Sequence, residues 1–214
     1  SHARHSGLGG RTPLLRNEAH WRLSSFGKAI TIDPTHDGQS REAPGKEANT
    51  MKPAEASLPS DTEVMVKRSF GAPVTLVWRA YMEPDLMRRW CGGPPGWSMS
   101  VCEMDMRVGG KYRWRWRSDE NGQEFGFTGE VLEVSPHAKI VHTQIFDAGN
   151  LGVSMGSEPS IITVTFQNTN GITHVTTTIR YASKADRDAA VATGMTDGME
   201  TSYEQLDALL AQTA

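Results

Sequence analysis

At 214 residues and a formal net charge of −3, the chain is long enough for one ordinary domain plus an extension, and it lacks the basic footprint that a phosphate backbone demands, which argues against nucleic acid as a partner. No run approaches the roughly 18 apolar residues of a spanning helix, and the first residues lack the charged-then-apolar order of a secretion signal, so the expectation is a cytoplasmic protein without membrane insertion. The two cysteines, Cys91 and Cys102, have no paired histidines beside them. Two reduced, partly buried thiols are expected, with no metal and no cofactor.

Composition shifts near position 60. Residues 1–60 carry eight Lys/Arg against six Asp/Glu and residues 61–214 carry fourteen against nineteen, so an extension that is slightly basic precedes a mildly acidic domain. The extension mixes Gly, Pro, Ser, Arg and His without a sustained period, which predicts disorder. His2, His5, His20 and His36 lie in it at spacings that match no metal-ligand pattern. Met51 stands just ahead of the domain, and one expectation is that it is the physiological start and that the residues before it are non-native upstream sequence.

Within the domain, Glu63 to Phe70 alternates as a half-buried strand with Val64, Val66 and Arg68 on one face. Pro73 suits the first turn of a helix whose stripe is Val74, Val77, Trp78 and Tyr81; Pro84 ends it and opens a short second helix, Asp85 to Trp90. Cys91 to Gly96, CGGPPG, reads as a loop. Strands are then predicted over Ser98 to Arg107, Lys111 to Arg117, Glu124 to Val134, Ile140 to Phe146, Ile161 to Gln167 and His174 to Tyr181, with a bend at Gly109-Gly110. KYRWRWR has the cleanest two-residue period, placing Tyr112, Trp114 and Trp116 on one face and four cations on the other. Ser183 with Asp186 is a capping-box-like start for a helix over Lys184 to Ala192, and a last helix runs from Met195 to Ala211 with Met195, Met199, Ser202, Tyr203, Leu206, Leu209 and Leu210 on one side. Consecutive strands with short connections argue for an antiparallel meander, and the apolar stripe of the last helix needs that sheet to cover it. The result is an α+β domain over 61–214, a curved antiparallel sheet wrapped around a long C-terminal helix, with two short helices after the first strand.

Four segments carry a resemblance: RSFGAPVTLVWRAYMEPDLMRRWCGGP, EMDMRVGGKYRWRWR, FTGEVLEVSP and TGMTDGMETSYEQLDALL. In this order and spacing they resemble the bacterial homologues of the activator of the heat-shock protein 90 ATPase, within the START-like (SRPBCC) superfamily, from about Val64 to Ala211. The resemblance implies a helix-grip fold. It also implies a role among lipid carriers, polyketide cyclases, hormone receptors or co-chaperones, since fold alone does not fix activity. Where family members often carry Trp after the glycine of the last helix, this chain has Met199 after Gly198, which implies an altered pocket wall.

The expected site is an apolar cavity between the sheet and the last helix, lined by Trp90, Trp97, Tyr112, Trp114, Trp116, Phe127, Phe146, Met195, Met199 and Tyr203, with Trp90 and Trp97 flanking the CGGPPG loop at its mouth. The alternative is that these side chains fill a core. Inside a helix Gly194 and Gly198 would each cost about 1 kcal/mol relative to Ala, which points to close approach or open volume at those positions, the alternative for Gly194 being a helix break. Glu103, Asp105 and Arg107 share strand parity beside Arg113 or Arg115; an exposed ion-pair ladder is the favoured reading over a catalytic base with an arginine partner. His142 and His174 read as satisfied structural histidines. No nucleophile elbow, phosphate loop or ligand cluster occurs, and no catalytic residue is assigned. The expected function is binding of a small hydrophobic or amphipathic molecule. A cyclase- or hydrolase-type enzyme on the same cavity, and a chaperone-associated stress-response regulator with a chaperone as its partner, are the alternatives.

Overall fold

The computed structural model describes residues 51–152 and 158–212. Its strands are β1 (Glu55–Ser60), β2 (Glu63–Phe70), β3 (Trp97–Met104), β4 (Lys111–Ser118), β5 (Glu124–Ser135), β6 (Lys139–Asp147), β7 (Ser160–Thr169) and β8 (Ile172–Arg180). Its helices are α1 (Val74–Met82), α2 (Pro84–Trp90), α3 (Lys184–Ala192) and α4 (Met195–Ala211). The strands form one antiparallel sheet in the order β1-β2-β8-β7-β6-β5-β4-β3. β3 to β8 meander as expected, and β2 returns beside β8, so that the two ends of the domain meet in adjacent strands.

The helices form where the sequence places them, for local reasons that are visible. Pro73 leads into α1; the Glu83 N–H closes it on the Arg79 carbonyl, and Pro84 takes the first turn of α2, where a missing N–H costs nothing. Ser183 Oγ accepts from the Asp186 N–H at 3.1 Å and caps α3. Gly194, at φ 77°, makes the left-handed joint into α4, a conformation that suits glycine.

Two expectations change. Most of the 1–60 extension lies outside the described residues, but its last part does not: β1 pairs with β2, so the sheet begins ahead of residue 61. All six β1 residues are exposed and Pro59 is among them, which suits an edge strand and leaves no alternation to read. The strand predicted over 98–107 stops at Met104. There the Asp105 carboxylate accepts from the Arg107 N–H and folds the chain into a turn, and a side chain at Gly110 would come within 2.2 Å of the Asp105 carbonyl.

The inward faces of β2, β7 and β8 present Val64, Val66, Phe70, Ile162, Val164, Phe166, Val175 and Ile179, all buried, beneath α1 and the second half of α4, while α2 packs on β3. No helix among the described residues is long and apolar enough to cross a membrane.

Candidate functional site

The other end of the sheet carries a different inner face. β4 runs in unbroken register against β5, so Tyr112 stands opposite Gly129, Trp114 opposite Phe127, and Trp116 opposite Phe125, while Phe127 meets Phe146 of β6. Trp116 stacks on Phe125 at 5.3 Å between ring centroids, Phe146 lies 5.7 Å from Phe127, and Trp97 of β3 lies 5.3 Å from Phe125. Of these rings Tyr112 and Trp116 are buried; Trp97, Trp114, Phe125, Phe127 and Phe146 stay half-buried.

Trp116 also fixes the CGGPPG loop. Its Nε1 donates to the Cys91 carbonyl at 2.7 Å, and Gly93, at φ 89°, lies so close that a Cβ there would stand 2.7 Å from the indole. Only glycine permits both that dihedral and that approach.

The polar centre of this face is built on a second missing side chain. Because a Cβ at Gly129 would stand 2.5 Å from the Tyr112 ring, the glycine lets Tyr112 lie across β5. Its hydroxyl then donates to the Thr143 carbonyl at 2.8 Å and lies 3.0 Å from His142 Nδ1. Burial favours the neutral imidazole and lowers the His142 pKa to about 4, against the backbone contact with Thr143, which raises it. Burial likewise raises the Tyr112 phenol. Trp114 packs on Tyr112 at 4.2 Å between centroids, and its buried Nε1 has no hydrogen-bond partner.

α4 changes character along its length. In its second half Tyr203, Leu206, Leu209 and Leu210 are buried, with the Tyr203 ring 5.6 Å from Phe70 and its hydroxyl 3.3 Å from that of Thr177. In the first half Met195 and Met199 are half-buried, and a Cβ at Gly198 would meet no atom within 4 Å. Of the two readings for that glycine, open volume holds and close approach does not. Between the halves the buried Arg68 of β2 reaches Asp207 at 2.5 Å and Glu200 at 3.4 Å, and Glu200 also accepts from the Ala54 N–H. Burial raises the Asp207 carboxyl, with Arg68 opposing.

The structure therefore divides the expected site residues among several surroundings. Trp97, Trp116, Phe127 and Phe146 share the aromatic cluster, and Tyr112 with Trp114 forms the polar centre beside it. Met195 accepts from the Tyr181 hydroxyl at 3.3 Å, and Met199 packs at the margin of the core. Trp90 and Tyr203 lie in the closed half: Trp90 donates to the Ala80 carbonyl at 2.8 Å and packs between Tyr81 and Tyr203. Phe125 and the role of His142 were missed. Phe125 has the parity of Phe127 in EFGFTG, so the same alternation could have found it.

The carboxylates lie outside this face. Glu103 is opposite Arg113, both exposed, whereas Asp105 pairs with Arg107 at 2.7 Å in the turn, so the expected ladder is interrupted where β3 ends. Arg115 pairs with Glu124 and Asp147. Burial pushes the Cys91 thiol up to about 12 and raises Cys102, the behaviour of unreactive packed thiols. Two cavities lie elsewhere: an open cleft of about 270 Å³ at Asp105 and Arg107–Gly110, and a small one of about 50 Å³ among Leu76, Arg79, Ala80, Leu86, Leu209 and Leu210.

A curved antiparallel sheet closed by a long C-terminal helix, with an aromatic inner face at one end, defines a helix-grip domain of the START-like type. Residues 71–211 match the family described as activator of Hsp90 ATPase homolog 1-like protein, and the chain belongs to that family. A crystal structure of a Rhodobacter sphaeroides protein is 27% identical, covers 75% of this chain and 99% of its own, and superposes with a TM-score of 0.68. One from Nitrosomonas europaea is 28% identical over 73% of this chain and 98% of its own, with a TM-score of 0.61. A third, from Chromobacterium violaceum, is 26% identical over 71% of this chain and 98% of its own, with a TM-score of 0.57. No curated protein matches the chain.

Proposed function

We propose that the domain binds a small hydrophobic or amphipathic molecule on the inward face of β3 to β6. The observation that carries this reading is the half-buried state of Trp97, Trp114, Phe125, Phe127 and Phe146. Large rings supply much of the apolar area a domain can bury, and five of them left half-buried side by side make a contiguous apolar surface of the kind that marks a binding site. The inward positions of β2, β7 and β8 are buried by contrast. The rings touch one another, so a guest enters by parting them.

Native mass spectrometry of the full chain purified from a lipid-rich lysate tests this. The expected result is a co-purified apolar mass that leaves on denaturation; a clean apo mass, with no saturable uptake when apolar compounds are added, would count against it. The family match supports a second reading, regulation of a chaperone ATPase. An unchanged ATPase rate when the domain is added to an Hsp90-type chaperone would remove it.

A further inference from the structure

We infer that the molecule taken up on this face is an uncharged ring compound bearing a hydroxyl group, held by the Trp114 Nε1–H, and not a fatty acid or other carboxylate. The inference rests on the proposed binding face and specifies its ligand class.

Three observations carry it. First, the unpartnered polar atom at the aromatic face is a donor. Buried N–H groups are nearly always paired, so an orphan beside a half-exposed apolar surface points to a partner supplied from outside. Trp114 is itself half-buried, so its ring borders the exposed part of that face.

Second, His142 supplies the complementary group. His142 Nδ1 lies 3.0 Å from the Tyr112 hydroxyl and 3.2 Å from the Thr143 carbonyl, which can only accept, so the neutral ring carries its proton on Nδ1 and leaves Nε2 as an acceptor. The His142 and Trp114 rings lie 6.1 Å apart. A hydroxyl can accept from one and donate to the other, whereas an ether or ketone can only accept.

Third, among the described residues no free cation awaits a carboxylate there. The buried cations among the described residues are Arg68 and Arg187. Arg68 is held by Glu200 and Asp207, and Arg187 by Asp188 and the Ser60 carbonyl. Lys111, Arg113, Arg115 and Arg117 alternate with the inward Tyr112, Trp114 and Trp116 and so point to the opposite face. A carboxylate among the aromatic rings would be buried without a counter-ion, which is strongly disfavoured. The flat, crowded rings suit stacking on a ring system better than threading by a flexible chain.

The test is equilibrium dialysis of the full chain at pH 7.5 with naphthalene, 2-naphthol and 2-naphthoate, which share one ring system and differ in one group. We expect 2-naphthol to bind about tenfold more tightly than naphthalene, the worth of one hydrogen bond, and 2-naphthoate to bind weakest. In Trp114→Phe the preference for 2-naphthol over naphthalene should fall from about tenfold to about onefold, whatever the smaller ring does to the affinity of both. The ranking in the unaltered protein stands even if that variant folds poorly. A 2-naphthoate affinity equal to or above that of 2-naphthol would overturn the ligand class and leave the binding face standing, as would equal binding of naphthalene and 2-naphthol. No saturable binding of any of the three would overturn the binding face, and the ligand class with it.

Discussion

The two halves of α4 use similar residues to different ends. Tyr203, Leu206, Leu209 and Leu210 seal the β2-β8-β7 end of the sheet together with Phe70, Trp78, Tyr81 and Trp90, every one of them buried. Met195 and Met199 stand at the other end of the helix, half-buried. On the inward face of β3 to β6, Trp97, Trp114, Phe125, Phe127 and Phe146 are half-buried beside the buried Tyr112 and Trp116. One core cluster runs through both ends of the sheet, and the half-buried rings stand at its margin.

The sharpest way to break this contrast is to remove a ring from each end. Phe70→Ala, at a fully buried site, should destabilise the domain by about 3–5 kcal/mol in denaturant unfolding. Phe127→Ala should cost roughly half as much, because less area leaves water there on folding. Equal losses would mean that Phe127 is as much core as Phe70. The pH dependence of stability probes the polar centre next. The unfolded chain protonates its imidazole near pH 6.5, while folded His142 resists until about pH 4. Between those values the unfolded state binds more protons, so stability should fall as the pH is lowered, by up to about 3 kcal/mol across the window. Denaturation midpoints at pH 7, 5 and 4 should show this slope, and His142→Gln should flatten it. A smaller effect is expected at the sealed end. Tyr203→Phe removes the hydroxyl contact with Thr177 and should cost about 1 kcal/mol in thermal unfolding. Smallest, and opposite in sign, is Gly198→Ala: the added methyl meets open space inside a helix, so the thermal midpoint should rise by the equivalent of about 0.5–1 kcal/mol.

Much of the fold was legible because its elements bury one face. The two-residue period of KYRWRWR and the stripe of α4 state their partners directly, and the resemblance carried by four segments agrees with the family match. β1 was not legible, since an edge strand with every side chain exposed has no alternation to show. The end of β3 was missed because the Asp105 turn rests on one side chain bending back to its own backbone, which leaves no trace in hydrophobic period. At the candidate site, parity found Tyr112, Trp114 and Trp116 but could not divide α4. Met199 and Tyr203 lie on one stripe of the helix, and only the sheet beneath decides that one is half-buried and the other sealed. Gly129 was equally silent: its part is to leave room for Tyr112, which needs the register of β4 on β5 to be known.

Indole N–H spectra of the ¹⁵N-labelled chain, titrated with 2-naphthol, separate the two ends of the sheet, because the tryptophans of the domain sample both. Saturable shifts of the Trp114 and Trp97 indoles are expected, with Trp78 and Trp90 unmoved. Shifts led by Trp78 or Trp90, or none that saturate, would contradict the proposed binding face.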